Sequence, residues 1–243
     1  MNKKKLSKYL VLLILSLCVF SIYTFFKNEK LTYIALGDSL AEGMNPYGQL
    51  GYSYTDYFAG YLKEKNRLSY YTKQYTKSGY TTEDIIKELE INNNLKRDLR
   101  ESDVVTISIG ANDFLNSINL KSLNANNILE LKSKIISIIP NIETCIKEVR
   151  KYVKEDLLII GYYNPVPFLF NTSGNDIDEL FAYIDEEYIK IAKKYDCDYI
   201  SIYGLFKTNS SFLPNSADLH PSLKGYQSIA EEIFDYYSKK EFY

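Results

Sequence analysis

Ser39 stands in Gly37-Asp38-Ser39-Leu40, directly after the apolar run Leu31–Leu36, and the single histidine of the chain, His220, stands in Asp218-Leu219-His220-Pro221. A serine hydroxyl is a poor nucleophile until a base takes its proton, and histidine is the usual base near neutral pH. A neighbouring carboxylate can hold the imidazole in one tautomer and stabilise the imidazolium formed during attack. Asp218 is the candidate for that work, with a backbone carbonyl as the alternative orienting group. Acyl transfer by such a pair also needs donors aimed at the oxyanion of the tetrahedral intermediate. The backbone N–H of Ser39, that of Gly79 in Ser78-Gly79-Tyr80, and the side-chain amide of Asn112 in Gly110-Ala111-Asn112-Asp113 have suitable chemistry. Each also has an ordinary reading: Gly79 as a turn residue, Asn112 as a helix cap. Asp38 and Asp113 read as residues that shape their turns.

Residues so far apart meet only if the fold carries them to one place. Apolar, β-branched runs occur at Leu31–Leu36, Val104–Ile109, Leu157–Tyr162 and Tyr199–Tyr203, with a weaker one around Leu68–Tyr75. Helical patterns separate them over Tyr54–Lys65, Thr82–Leu99, Asn127–Lys154 and Ile177–Tyr195, and a last one spans Leu223–Tyr237. Pro140 should kink or restart the third pattern. Continuous apolar strands alternating with amphipathic helices predict an α/β domain with a parallel sheet covered on both faces. Such sheets place their sites at the carboxyl ends of the strands, where strand order reverses. Ser39, Gly79 and Asn112 each follow a predicted strand, so the topology should bring them to one rim. Tyr162–Phe170, which carries two prolines, and the loop Glu42–Ser53 are candidate pocket walls at that rim, or else packed loops.

The chain has 243 residues, 29 basic and 31 acidic side chains and a formal charge of −2. That balance is uneven. Six lysines face one acid over residues 1–30, leaving −7 over residues 31–243. An acidic globular portion excludes nucleic acid as the expected partner, because phosphate recognition needs clustered cations. Tyr9–Phe26 is uncharged and follows Lys3, Lys4, Lys5 and Lys8; eighteen helical residues reach about 27 Å, near the hydrocarbon thickness of a bilayer. An N-terminal transmembrane anchor is therefore expected. A cleaved signal peptide and a lipoprotein signal at Cys18 are the alternatives, and in all three the following domain lies outside the cytoplasmic membrane. Residues 1–30 thus form a basic terminus, apolar segment and hinge, and residues 31–243 one domain. Cys145 and Cys197 are expected as free thiols, and one histidine with two remote cysteines does not assemble a metal site unless carboxylates dominate it. No phosphate-cradling Gly-rich loop is present, and no cofactor is expected.

Taken in order, Ser39 in GDSL, Gly79 in SGY, Asn112 in GAND and His220 in DLHP resemble the four motif blocks of the SGNH/GDSL hydrolases, a likeness that spans Tyr33–Phe234. The resemblance implies a three-layer α/β/α, flavodoxin-like fold with a five-stranded parallel sheet and an ester- or thioester-hydrolysing site. By motif position it implies Ser39 as nucleophile, His220 as base, and an oxyanion hole from Ser39, Gly79 and Asn112. In one respect the chain departs from the family. The aspartate usually found three residues before the histidine is replaced by Ala217, and Asp218 lies two before. The expected function is an esterase or lipase-like acylhydrolase acting on a small-molecule, lipid or glycan ester. A cell-wall carbohydrate O-deacetylase and a non-catalytic envelope-binding domain are the alternatives.

Overall fold

The computed structural model describes residues 9, 11–17, 30–118, 128–165 and 174–240. Five strands, β1 (Leu31–Gly37), β2 (Leu68–Thr76), β3 (Val104–Ser108), β4 (Asp156–Ile160) and β5 (Asp198–Ile200), form one sheet of order β2-β1-β3-β4-β5. All its pairings are parallel. β3 is buried throughout, as are five consecutive residues of β1 and four of β4, whereas the edge strand β2 is buried only at Tyr75 and Thr76. Continuous apolar runs belong to strands covered on both faces, which is why β2, an edge strand buried at only two residues, reads weakest in sequence.

Two helical layers cover the sheet. On one face lie α3 (Thr82–Ile91), α4 (Asn93–Arg100), α6 (Ile128–Arg150) and α7 (Gly174–Lys194), packed on Ile34, Leu36, Ile107 and Ile159. On the other lie α2 (Tyr54–Glu64), α8 (Tyr203–Thr208), a 3₁₀ turn (Ser210–Phe212) and α9 (Leu223–Lys240), packed on Tyr33, Ala35, Leu158 and Ile160. Alternate residues of each strand serve opposite layers, as the two-residue period of a strand requires. Two short helices, α1 (Ser39–Glu42) and α5 (Ala111–Ser117), begin where β1 and β3 end.

Several boundaries differ from the sequence reading. The pattern expected as one helix over Thr82–Leu99 breaks at Asn92, whose side chain accepts hydrogen bonds from the Asn94 and Leu95 N–H groups and so caps a second helix. The run read as a strand to Tyr203 stops at Ile200, and Tyr203 opens α8. Pro140 neither breaks nor restarts α6. It sits on the exposed face, as does Ile136 one turn before it. Cys145 is buried and Cys197 half-buried, both as free thiols. Of the apolar segment Tyr9–Phe26, only Tyr9 and residues 11–17 are described, and these are helical and exposed; the remainder lies outside the described residues. Among the described residues no helix is long and apolar enough to cross a membrane.

Candidate active site

Strand order reverses between β1 and β3, and the first site residue sits at the end of β1. Gly37 pairs with Ser108 across the two strands. Its φ is +136°, and a Cβ there would fall 2.3 Å from the Ser108 carbonyl oxygen, so only glycine allows this close approach. The next residue, Asp38, is buried and caps α1 by accepting the Leu40 N–H at 3.0 Å. Burial pushes its carboxyl up to about 7, against the lowering effect of the Leu40 N–H and the Ser108 hydroxyl. Ser39 is then the first residue of α1, where a backbone N–H has no partner within the helix.

His220 reaches Ser39 from the loop before α9. Its Nε2 lies 2.9 Å from the Ser39 Oγ, and its Nδ1 lies 2.8 Å from the Asp218 Oδ1. The same Oδ1 accepts the His220 backbone N–H at 2.8 Å. This tight side-chain turn lets an acid two residues before the histidine meet the ring, while Ala217, at the family's usual position, is exposed. Of the two orienting groups open on sequence grounds, the structure brings the Asp218 carboxylate to the imidazole. Tyr163, just after β4, donates its hydroxyl to the Leu219 carbonyl at 2.8 Å and fixes the histidine loop from the far side.

Gly79 and Asn112 face the same cavity as Ser39 and His220. Gly79 has φ +87° in the turn closed by the Tyr80 N–H on the Lys77 carbonyl. Asn112 is not the cap of α5, which is Gly110; its Nδ2 donates to the Tyr80 carbonyl at 2.8 Å instead. The neighbouring Asp113 accepts the Thr82 N–H at 2.9 Å and the Thr82 hydroxyl at 2.5 Å, so it shapes the start of α3 rather than its own turn alone. On the opposite side Glu42 accepts the Ser78 N–H at 2.6 Å and the Ser78 hydroxyl at 2.5 Å. The Gly79 turn is thereby held between α1 and α5.

Sequence reasoning placed Glu42 and Tyr163 only within candidate pocket walls and missed their contacts to Ser78 and Leu219, since both lie outside the motif blocks. The acid one turn beyond the serine and the tyrosine at the end of an apolar strand were the available signals. The two expected rims are in part pocket walls. Met44 and Tyr162–Pro165 line the cavity, Tyr47, Leu50 and Tyr52 are exposed, and Val166–Phe170 lies outside the described residues.

A doubly wound sheet with a serine and a histidine in contact at its carboxyl rim defines a three-layer α/β/α hydrolase domain. The chain belongs to the GDSL-like Lipase/Acylhydrolase family, whose profile matches residues 35–228, and it is an enzyme acting on ester bonds. It is 24 % identical over 221 residues to the uncharacterized protein YpmR of Bacillus subtilis, covering 88 % of this chain and 84 % of that one. Its fold is similar to that of the lipase Lip_vut3 from a goat rumen metagenome, with a TM-score of 0.66 and 22 % identity over 84 % of this chain and 96 % of that one. The acetylxylan esterase Axe2 of Geobacillus stearothermophilus follows with a TM-score of 0.60 and 18 % identity, covering 86 % and 95 %. A lipase/acylhydrolase of Enterococcus faecalis has a TM-score of 0.58 and 19 % identity, covering 86 % and 96 %.

Proposed function

We propose that the chain hydrolyses carboxylic esters by a Ser39–His220–Asp218 mechanism. The observation that carries the reading is the continuous contact from the Ser39 Oγ through both ring nitrogens of His220 to the Asp218 carboxylate, at 2.9 and 2.8 Å. His220 Nε2 takes the hydroxyl proton as Ser39 Oγ attacks the ester carbonyl. Asp218 holds the Nδ1–H tautomer and faces the imidazolium that results. The carbonyl oxygen becomes an oxyanion and is met by the N–H groups of Ser39 and Gly79 and by the Asn112 amide hydrogen not given to Tyr80. Collapse of the intermediate breaks the bond to the alcohol, which takes the proton from Nε2. A water, deprotonated by the same nitrogen, then attacks the acyl-serine, and Ser39 Oγ leaves with the proton from Nε2 as the acid is released.

The test is covalent. A fluorophosphonate probe should label Ser39, and Ser39→Ala should lose both the label and ester turnover. A label mapped to another residue, or a fully active Ser39→Ala enzyme, sinks the mechanism. The lysine-flanked apolar segment Tyr9–Phe26 supports an extracytoplasmic site of action, with the segment as anchor or as cleaved signal. Protease added to intact protoplasts should digest the domain, and the mass of the recovered protein separates the two forms. A protected domain would overturn this placement and leave the chemistry standing.

A further inference from the structure

The cavity that opens at Ser39 does not end at the rim. It has a volume of about 300 Å³ and runs from Ser39, Asn112 and His220 to side chains of α6 and α7. Ile135, Ile138, Ile139 and Ile142 of α6 and Phe181 of α7 form its wall, whereas the fully buried Ile146 further along α6 lies behind it. Leu180 and Ile184 complete the α7 side. Among the described lining residues of α6 and α7, Tyr188 alone carries a polar atom, and its hydroxyl is already given to the Ile109 carbonyl. Among the described residues this part of the cavity therefore offers a hydrocarbon surface.

The sheet decides which half of an ester enters it. His220 comes from the α2/α9 side, where its loop precedes α9, and the slot lies on the α6/α7 side. Because the leaving alcohol takes its proton from His220 Nε2, the alcohol must depart on the histidine side. The acyl portion is left to face the slot. Given the ester hydrolysis proposed above, on which this step rests, we infer that the enzyme's substrates carry an extended hydrocarbon acyl chain housed between α6 and α7, with the alcohol portion outside. An acetyl group would fill little of this volume.

The measurement is kcat/KM of the full-length protein for p-nitrophenyl acetate, butyrate, hexanoate and octanoate, each below its aggregation concentration. The expected series rises about fourfold for every methylene that enters the slot, the ratio that corresponds to a fully buried CH2, and then levels. Ile139→Trp narrows the slot and should lower the octanoate-to-acetate ratio at least tenfold. Should that variant fail to fold, the rates at which short and long alkyl fluorophosphonates label Ser39 in the unaltered protein give the same answer, with the longer chain expected to react faster. A flat or falling series, together with Ser39-dependent acetate hydrolysis, overturns the acyl-slot inference and leaves the mechanism intact. Failure of every ester and of every probe to react at Ser39 overturns both.

Discussion

Asp218 is the residue on which the departure from the usual family spacing bears. In Asp218→Asn the amide oxygen can still accept the His220 backbone N–H and the ring Nδ1–H, both 2.8 Å from Oδ1 in the native protein. What disappears is the negative charge facing the imidazolium formed during attack. Two unit charges about 4 Å apart at an effective dielectric of ~20 attract by about 4 kcal/mol. The His220 and Asp218 side chains are 23 % and 27 % exposed, and solvent screening at that exposure removes roughly half of it. The remaining ~2 kcal/mol corresponds to a loss of about 30-fold in kcat. Asp218→Ala also removes a charge-assisted hydrogen bond, worth a further ~1.5–3 kcal/mol, and frees the ring to rotate, so its loss should approach about 10³. His220→Ala should be lower still, because no base remains. The assay is steady-state hydrolysis of a p-nitrophenyl ester at one pH, with circular dichroism to confirm that each variant is folded. Moving the acid to the usual position with Ala217→Asp and Asp218→Ala together should not restore the rate, because the 217 side chain faces solvent in this turn. Wild-type kcat in Asp218→Asn, or full rescue by the double variant, would refute the argument that this carboxylate orients and stabilises the ring.

Three further outcomes are expected. Asn112→Ala removes one preorganised donor and should lower kcat by about 10²–10³, measured in the same assay, with substrate binding little changed. Asp38→Asn tests the buried carboxyl: its folded value of about 7 lies above the ordinary 3.8, so the folded state holds the proton more tightly and loses stability as pH rises from about 4 through about 7. Asparagine can still cap α1, so melting curves of Asp38→Asn should show a gain on the order of 1–3 kcal/mol at pH 8 and none at pH 4; a gain that is equal at both values would exclude the buried charge as its cause. Tyr163→Phe deletes the hydroxyl that braces the Leu219 carbonyl and should lower kcat about threefold to tenfold with little change in KM, consistent with about 1 kcal/mol for one neutral hydrogen bond.

The central strands and the meeting of Ser39, Gly79 and Asn112 at one rim were legible in sequence for a physical reason, whereas His220 stood out by its chemistry and its motif. A parallel sheet buried on both faces writes itself as unbroken apolar runs, and its switch point collects the turns that follow them. The break at Asn92 was not legible, because the apolar positions of α3 and α4 continue one helical period and the interruption is a matter of capping. The Asn92-Asn93-Asn94 run was the available hint. The early end of β5 was hidden likewise, since Tyr199–Tyr203 is apolar but for Ser201 and only packing decides that Tyr203 begins a helix. Sequence left the partner of His220 open between Asp218 and a carbonyl, because a one-residue shift is judged by side-chain torsion and not by spacing. Glu42 and Tyr163 act across 36 and 56 residues, and separations of that kind carry no local pattern.

The end of β4 shows how one feature of strand geometry serves both halves of the site. Successive side chains of an extended segment point to opposite faces. Tyr162 accordingly packs with the α6/α7 layer and Tyr163 with the α2/α9 layer. The Tyr162 hydroxyl donates to the Ile109 carbonyl, next to the start of the turn that carries Asn112, and Tyr188 donates to the same oxygen at 3.2 Å. The Tyr163 hydroxyl donates to the Leu219 carbonyl beside His220, while its ring stacks on Phe206 at 4.0 Å. Burial raises the pKa of both phenols, so both remain protonated and act as donors across the working range. Two adjacent tyrosines thus brace the turn that carries Asn112 from one layer and the histidine loop from the other. That division matches the proposed passage of the ester, with the acyl chain on the Tyr162 side of the sheet and the departing alcohol on the Tyr163 side.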